Sequence, residues 1–312
     1  MSKATRAALG ETLIELADGG LDVVAVDADL AGSTTTAAFG KVYPDRLVEV
    51  GIAEANMIDV AAGLSLAGKV AFTGSFAVFG TGRAYDQIRN TVCYSDLNVK
   101  LAPTHAGVTV GPDGGSHQML EDIALMRVLP RMRVLVPADY QSAKSALRLA
   151  AHTPGPFFVR LGRAGVPELY TAEDDFELGR AKVLRAGDKV SLIACGVEVS
   201  AALEAADILA ARDISAEVID AFSIKPLDTA TILESAARTG RVVTCEEHNI
   251  IGGLGSAVAE TLSEGFPCPL LRVGVQDRFG QSGEPDELLR FFGLDAPAIV
   301  EAALRLCDVR KM

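Results

Sequence analysis

The chain has no tryptophan, and aromatic residues make up only 5% of its 312 positions. Its cores must be filled by aliphatic side chains, so any local aromatic cluster carries weight. Basic residues are also scarce: 29 lysines and arginines stand against 41 aspartates and glutamates, for a net charge of −12. That balance argues against nucleic acid or an anionic membrane as partner. An anionic small molecule would need a local cluster of arginines or helix N-termini. Every apolar run is broken by charge well short of the ~20 residues of a membrane span. The segment Met1-Ser2-Lys3-Ala4-Thr5-Arg6 leads into a helical pattern with acidic residues and shows no apolar signal core. The five cysteines (Cys93, Cys195, Cys245, Cys268, Cys307) are scattered, odd in number and unpaired by motif. They read as buried apolar residues in a reducing cytoplasm rather than as disulfides or a zinc site.

What is present is an ordinary globular composition, 49% hydrophobic and 22% charged. The length suits two cores, since single cores stop growing near ~250–300 residues. A helix over 3–18 precedes the run Leu21–Val26, which ends in Asp27-Ala28-Asp29. Strand-like runs follow at Leu47–Val50, Lys69–Phe72, Val99–Ala102, Arg133–Pro137 and Pro156–Leu161. Valine-rich runs separated by helices predict a parallel, doubly wound sheet with ligands at the carboxyl ends of its strands. After the acidic stretch Tyr170–Asp175, further strands are expected at Val190–Gly196, Ala216–Asp220, Arg241–Cys245 and Leu270–Gly274, with helices to about 212 and near 285–292 and 296–307. The fold class is therefore α/β with two doubly wound domains, the second smaller: residues 1–170, a linker over 171–184, and residues 185–312.

Three segments could carry chemistry. In Gly51-Ile52-Ala53-Glu54-Ala55-Asn56-Met57 a strand turns through glycine into an almost wholly apolar helix. The helix dipole tolerates Glu54 there, while the apolar wall should raise its pKa and let it exchange a proton with a bound base. Taken alone, a surface capping glutamate is the better reading. The loop Thr73–Gln87 sets Phe76 and Phe79 among glycines, which suits a flat heterocycle, although two core-plugging rings would have the same spacing. The loop His105–Gln118 concentrates His105, His117, Asp113 and four glycines. Glycines let backbone approach a ligand closely, and histidines can donate to sugar hydroxyls or shuttle protons. No third close-spaced ligand accompanies them, so a metal site is not expected.

Together these segments resemble transketolase. The resemblance rests on Arg6, on Asp27-Ala28-Asp29 with Gly32-Ser33-Thr34, on Gly51 to Met57, on Ser75-Phe76 with Phe79, on His105, on Gly111-Pro112-Asp113-Gly114 and on Leu161-Gly162-Arg163, in order and at matching spacing from about residue 4 to 305. It implies the pyrimidine-binding and C-terminal domains of that family. By the same resemblance, Glu54 matches the glutamate at N1′ of thiamine diphosphate, whose proton there favours removal of the C2 proton. Phe79 matches the ring that stacks on the aminopyrimidine, and Phe76 lines the same pocket. His105 and His117 match histidines near C2 and the sugar hydroxyls, and Asp113 a carboxylate that binds a donor hydroxyl. Arg6, Ser33 and Arg163 match groups that hold an acceptor phosphate, where a guanidinium fork fits best. An apparent one-residue insertion at Gly80-Thr81-Gly82 departs from the family and leaves the role of Arg83 open.

The family holds the diphosphate through Mg²⁺ on a Gly-Asp-Gly motif followed by a distant Asn. Here Gly187-Asp188-Lys189 lacks the second glycine. The resemblance thus implies a half-length subunit that needs an N-terminal-type partner carrying the diphosphate and Mg²⁺ ligands, an α2β2 assembly, sugar phosphates as substrates and a cytoplasmic setting. Alternatives on the same scaffold are a deoxyxylulose phosphate synthase-like enzyme, a 2-oxo acid dehydrogenase β-type subunit, or a non-catalytic assembly subunit. Gly252-Gly253-Leu254-Gly255 mimics a dinucleotide fingerprint but reads as helix capping and close packing, and Gly280 to Pro285 reads as a loop.

Overall fold

The structure, a computed structural model, describes residues 2–308. Its larger sheet contains β2 (Val23–Asp27), β3 (Leu47–Glu49), β4 (Val70–Gly74), β5 (Val99–Leu101), β6 (Arg133–Leu135) and β7 (Phe157–Val159). β2 and β4 are buried along their whole length, as strands covered by helices on both faces must be, and this explains why their sequences are apolar up to Asp27 and Thr73 at their carboxyl ends. All six pair in parallel, in the spatial order β6-β7-β5-β4-β2-β3.

The smaller sheet is built from β9 (Lys182–Arg185), β10 (Val190–Ala194), β11 (Ala216–Asp220), β13 (Val242–Asn249) and β14 (Leu270–Val275), in the order β14-β13-β10-β11-β9. β9 joins it antiparallel, so the last residues of the expected linker belong to this sheet. Helices Pro285–Phe292 and Ala296–Asp308 close the chain's described part.

Two short strands depart from the expected pattern. Residues 2–4 do not begin the first helix but form β1 (Ser2–Ala4), antiparallel to β8 (Gly165–Pro167), and the helix starts only at Ala7. This pairing sets Arg6 beside Gly162, whose carbonyl accepts the Arg6 amide at 3.2 Å. The second is β12 (Ser223–Lys225), which leaves the second domain and pairs antiparallel with β6, as the seventh strand of the first sheet. The two domains also share a continuous apolar cluster in which Val134 and Val136 pack with Ile193, Ile219 and Ile224.

Cys93, Cys195 and Cys245 are buried, Cys268 and Cys307 partly so, and all five are free thiols. Among the described residues no helix is long and apolar enough to cross a membrane.

Candidate functional site

The carboxyl ends of the central strands open onto one face, and two differently built walls flank it. The first wall starts at β3. Gly51 turns the chain in the left-handed region (φ 71°), and Glu54 becomes the first residue of the helix Glu54–Leu66. Its carboxylate is buried, yet it has a partner: Oε1 accepts from Nη1 of Arg83 at 3.0 Å, with side-chain exposures of 7% and 56%. The Arg83 guanidinium also lies 4.2 Å over the ring of the half-buried Phe79. Phe79 in turn stacks on the buried Phe76 at 6.1 Å between centroids.

Arg83 arrives there because Val78–Arg83 forms a π-helical turn. Such a turn holds one residue more than the α-helical equivalent and is how a helix absorbs a single insertion. It includes Phe79 and the stretch Gly80–Gly82, where the resemblance places one residue more.

The second wall gathers around His105, at the end of the segment that follows β5. Its backbone sits at φ 60°, a conformation that costs a non-glycine residue roughly 1–3 kcal/mol and persists where surroundings over-determine it. The ring stacks on Phe76 with centroids 3.7 Å apart. Nδ1 is 2.7 Å from Thr104 Oγ1, and Nε2 is 3.5 Å from Arg6 Nη1. A guanidinium can only donate, so Nε2 holds the lone pair and the ring proton sits on Nδ1. Burial first, then the cations Arg6 and Arg163 and neighbouring His117, push the imidazole down to about 3. His105 is therefore a neutral acceptor near neutral pH, where the sequence reading expected a donor or proton shuttle. His117 meets Phe79 edge-on at 5.3 Å and is half-buried.

Arg6 donates to the carbonyl of Ser33 at 2.8 Å, and Arg163 donates to the carbonyl of Val110. Asp27, at the end of β2, fixes the Ser33 turn by accepting from Thr34 Oγ1 and Thr36 Oγ1 at 2.7 Å each and from the Leu30 amide at 2.9 Å. Burial, and then the nearby charge of Arg163, lower the Arg6 pKa. Among the described residues neither guanidinium has a carboxylate partner. Two unneutralised cations on one wall, in a chain of net negative charge, form a ready seat for an oxyanion.

Glu54, Phe76, Phe79, His105, His117, Arg6, Ser33 and Arg163 thus line one region. Asp113 does not join their contacts: it stands exposed on the turn after Gly111. The sequence reading left Arg83 open and missed Thr104, whose hydroxyl oxygen accepts the His105 Nδ1 proton. It gave the glycines of this loop to a ligand, but the absent Cβ atoms of Gly107, Gly111, Gly114 and Gly115 face the second domain instead. The Gly252–Gly255 turn is a capped helix. Glu246 accepts from the amides of Leu254 and Gly255 at 2.7 and 2.8 Å, filling the place a phosphate would take.

Family comparison agrees with this geometry. Residues 1–168 match the transketolase pyrimidine-binding domain, and 179–299 match the transketolase C-terminal domain. The chain belongs to the transketolase family. It is 48% identical over 302 residues to a putative transketolase C-terminal section of Methanocaldococcus jannaschii, covering 96% of this chain and 95% of that one. It is 44% identical to the 6-deoxy-6-sulfo-D-fructose transketolase subunit SqwH of a Clostridium species, covering 94% and 91%. A solved split-gene transketolase, described as an inactive β4 tetramer, superposes with a TM-score of 0.90 at 48% identity, over 98% of this chain and 99% of that one. The chain therefore corresponds to the C-terminal subunit of a two-subunit transketolase, a transferase. Membership implies dependence on thiamine diphosphate, and the split form implies an N-terminal partner subunit.

Proposed function

We propose that this subunit, joined to an N-terminal-type partner, transfers a two-carbon ketol unit from a ketose phosphate to an aldose phosphate in the cytoplasm. The observation that carries the reading is the Arg83 guanidinium itself. It is a planar cation already lying on Phe79 and hydrogen-bonded to Glu54, so the pocket fits a flat, protonatable heterocycle with a nitrogen toward that carboxylate. Bound thiamine diphosphate would supply a stabilised carbanion equivalent at its thiazolium carbon.

The chain's own residues do the rest. Glu54 holds or moves a proton at the ring nitrogen once Arg83 swings aside, and burial in the first turn of an apolar helix keeps water from competing. Phe79 and Phe76 orient the ring by stacking. His105 offers its Nε2 lone pair to a substrate hydroxyl, and His117 covers the same space from the edge of Phe79. Arg6 and Arg163, with Ser33, bind the phosphate of the sugar and fix its reach. Asp113 meets the donor hydroxyl only if its turn moves inward on binding. Among the described residues no group of three His, Cys, Asp or Glu side chains could hold a metal. The reading assigns the Mg²⁺ and diphosphate ligands to the partner, in an α2β2 assembly. The domain division near 171–184 belongs to the same reading.

The test is reconstitution. The chain with its N-terminal-type partner, thiamine diphosphate and Mg²⁺ should transfer ketol between sugar phosphates, and the chain alone should not. Turnover by the single chain, or release of CO₂ from a 2-oxo acid by the pair, would overturn the assignment.

A further inference from the structure

The loop carrying His105, Asp113 and His117 is held less by the domain that supplies it than by the other one. Its ends belong to the first domain: the Ala106 amide donates to Leu161 and the Gly107 amide to Met119, at 3.2 and 2.9 Å. Between those ends Arg163 of the first domain reaches the Val110 carbonyl, and the four glycines of the loop lie on the second domain. The Thr109 amide donates to Glu247 Oε1 at 2.7 Å. Arg160, buried, donates to the carbonyls of Met119 and Glu247 at 3.2 and 3.0 Å and pairs with Asp122 at 2.8 Å, locking the loop's exit to β13.

The approach is as close as backbone permits. A Cβ on Gly107 would come within 2.1 Å of the Glu247 carboxyl carbon, one on Gly114 within 2.5 Å of Ser282 Oγ, and one on Gly115 within 2.5 Å of the Gly280 carbonyl oxygen. From the opposite side, a Cβ on Gly280 would stand 1.7 Å from Gln118 Oε1. Gln118 is buried, and its amide nitrogen lies within reach of three carbonyl oxygens: Val108 at 3.0 Å, Gly111 at 3.3 Å and Gln281 at 2.9 Å. It staples the loop to itself and to the 280–283 turn, and it directly follows His117.

We infer that the second domain sets the geometry of the substrate loop, and that Gln118 is the positioning residue through which the Gly280–Gly283 turn holds His117 in place. The inference rests on the ketol-transfer reading for what the loop binds, but not for how the loop is held. Gln118 touches neither ring nor sugar in this scheme; it acts through His117 and the loop backbone.

Two variants and their combination test it. Gly280→Ala adds one methyl group, in the second domain, against Gln118. Gln118→Ala removes the staple by deleting atoms, and so remains usable if Gly280→Ala fails to fold. In the purified chain, each should speed hydrogen exchange at amides 109–117 while leaving the Glu54 helix unchanged. In the reconstituted pair each should lower kcat/KM for the ketose donor by about tenfold to a hundredfold, the scale of a small misplacement remote from the chemistry. The affinity for thiamine diphosphate should stay within twofold. The double variant decides coupling: Gly280→Ala should cost much less once Gln118 is alanine, because the Oε1 and Cδ atoms it strikes at 1.7 and 2.8 Å are gone and only the Cβ at 3.1 Å remains. Additive losses, or unchanged exchange in both single variants, would overturn the clamp. Coupled exchange in a pair that transfers no ketol would uphold the clamp and sink the reading of its substrate.

Discussion

Glu54 and Glu247 are both buried carboxylates, one in the wall that faces the ring pocket and one behind the substrate loop. Their surroundings differ in kind. Glu54 has a single side-chain partner, an arginine whose own side chain is more than half exposed and can leave for solvent. Glu247 accepts from a buried amide and faces Arg160, which is itself enclosed and bound to Asp122. Burial pushes the Glu247 carboxyl up, while Arg160 and the Thr109 amide pull it back. A carboxylate that must exchange partners during turnover needs the first arrangement. One that fixes a loop needs the second. Sequence type alone would not separate the two, since each is a glutamate at the edge of an apolar element.

Substitutions should sharpen that contrast. The largest effect belongs to Glu54→Gln, which should cut ketol transfer by about a hundredfold or more, the usual scale of a lost general acid–base group. Thermal unfolding should remain within a few degrees of the parent. Comparable turnover would equate the two walls. Arg160→Ala should instead act on stability, by roughly 3–5 kcal/mol, because it strands Asp122 in the interior. Denaturant unfolding measures this directly. Arg163→Ala should raise KM for phosphorylated acceptors by about tenfold or more, as loss of a charge-assisted contact predicts, and leave kcat nearly unchanged. Unphosphorylated acceptors should be indifferent, and steady-state kinetics with matched sugars would show it.

His105 gives a pH signature. Its folded pKa, near 3, lies below the ordinary value of 6.5. The unfolded chain thus binds the extra proton between those limits, and the His105 contribution to stability is present above about pH 6.5 and drains away as pH falls. His105→Gln should flatten that acid limb in unfolding measured from pH 7 to 4. The smallest effect is expected at Arg83→Met. Glu54 is buried but the Arg83 guanidinium is more than half exposed and screened by solvent, so stability should move by about 1 kcal/mol or less, and cofactor affinity should rise by fivefold at most. A large loss of affinity would make Arg83 a cofactor ligand rather than a replaceable placeholder.

Much of the scaffold was legible because β2, β4 and β10 are buried along their whole length and announce it in the apolar runs Val23–Val26, Val70–Phe72 and Leu192–Ala194. Ser2–Ala4 and Ser223–Lys225 were not. Neither triplet is a strong strand former, and each is extended only because a distant partner, β8 or β6, supplies its hydrogen bonds. The gathering of Arg6, Ser33, His105 and Arg163 was readable only through the family resemblance that their segments carry. The placement of Arg83 was not, because it depends on the wide π-helical turn. The fixing of the substrate loop did leave a trace: Glu246, Glu247 and His248 are three polar residues in a wholly enclosed strand, and such groups demand partners. Nothing local, however, says that one of those partners is the Thr109 amide.

The strand that the second domain lends to the first sheet has a mechanical corollary. An interdomain hinge would have to peel Ser223–Lys225 from β6 and expose the apolar seam beneath it, so the two halves travel as one body. Access to the proposed ring pocket would then open at the seam with the partner polypeptide or by swinging single side chains such as Arg83. A proteolytic nick near residues 171–178 should leave both fragments bound to each other and able to assemble.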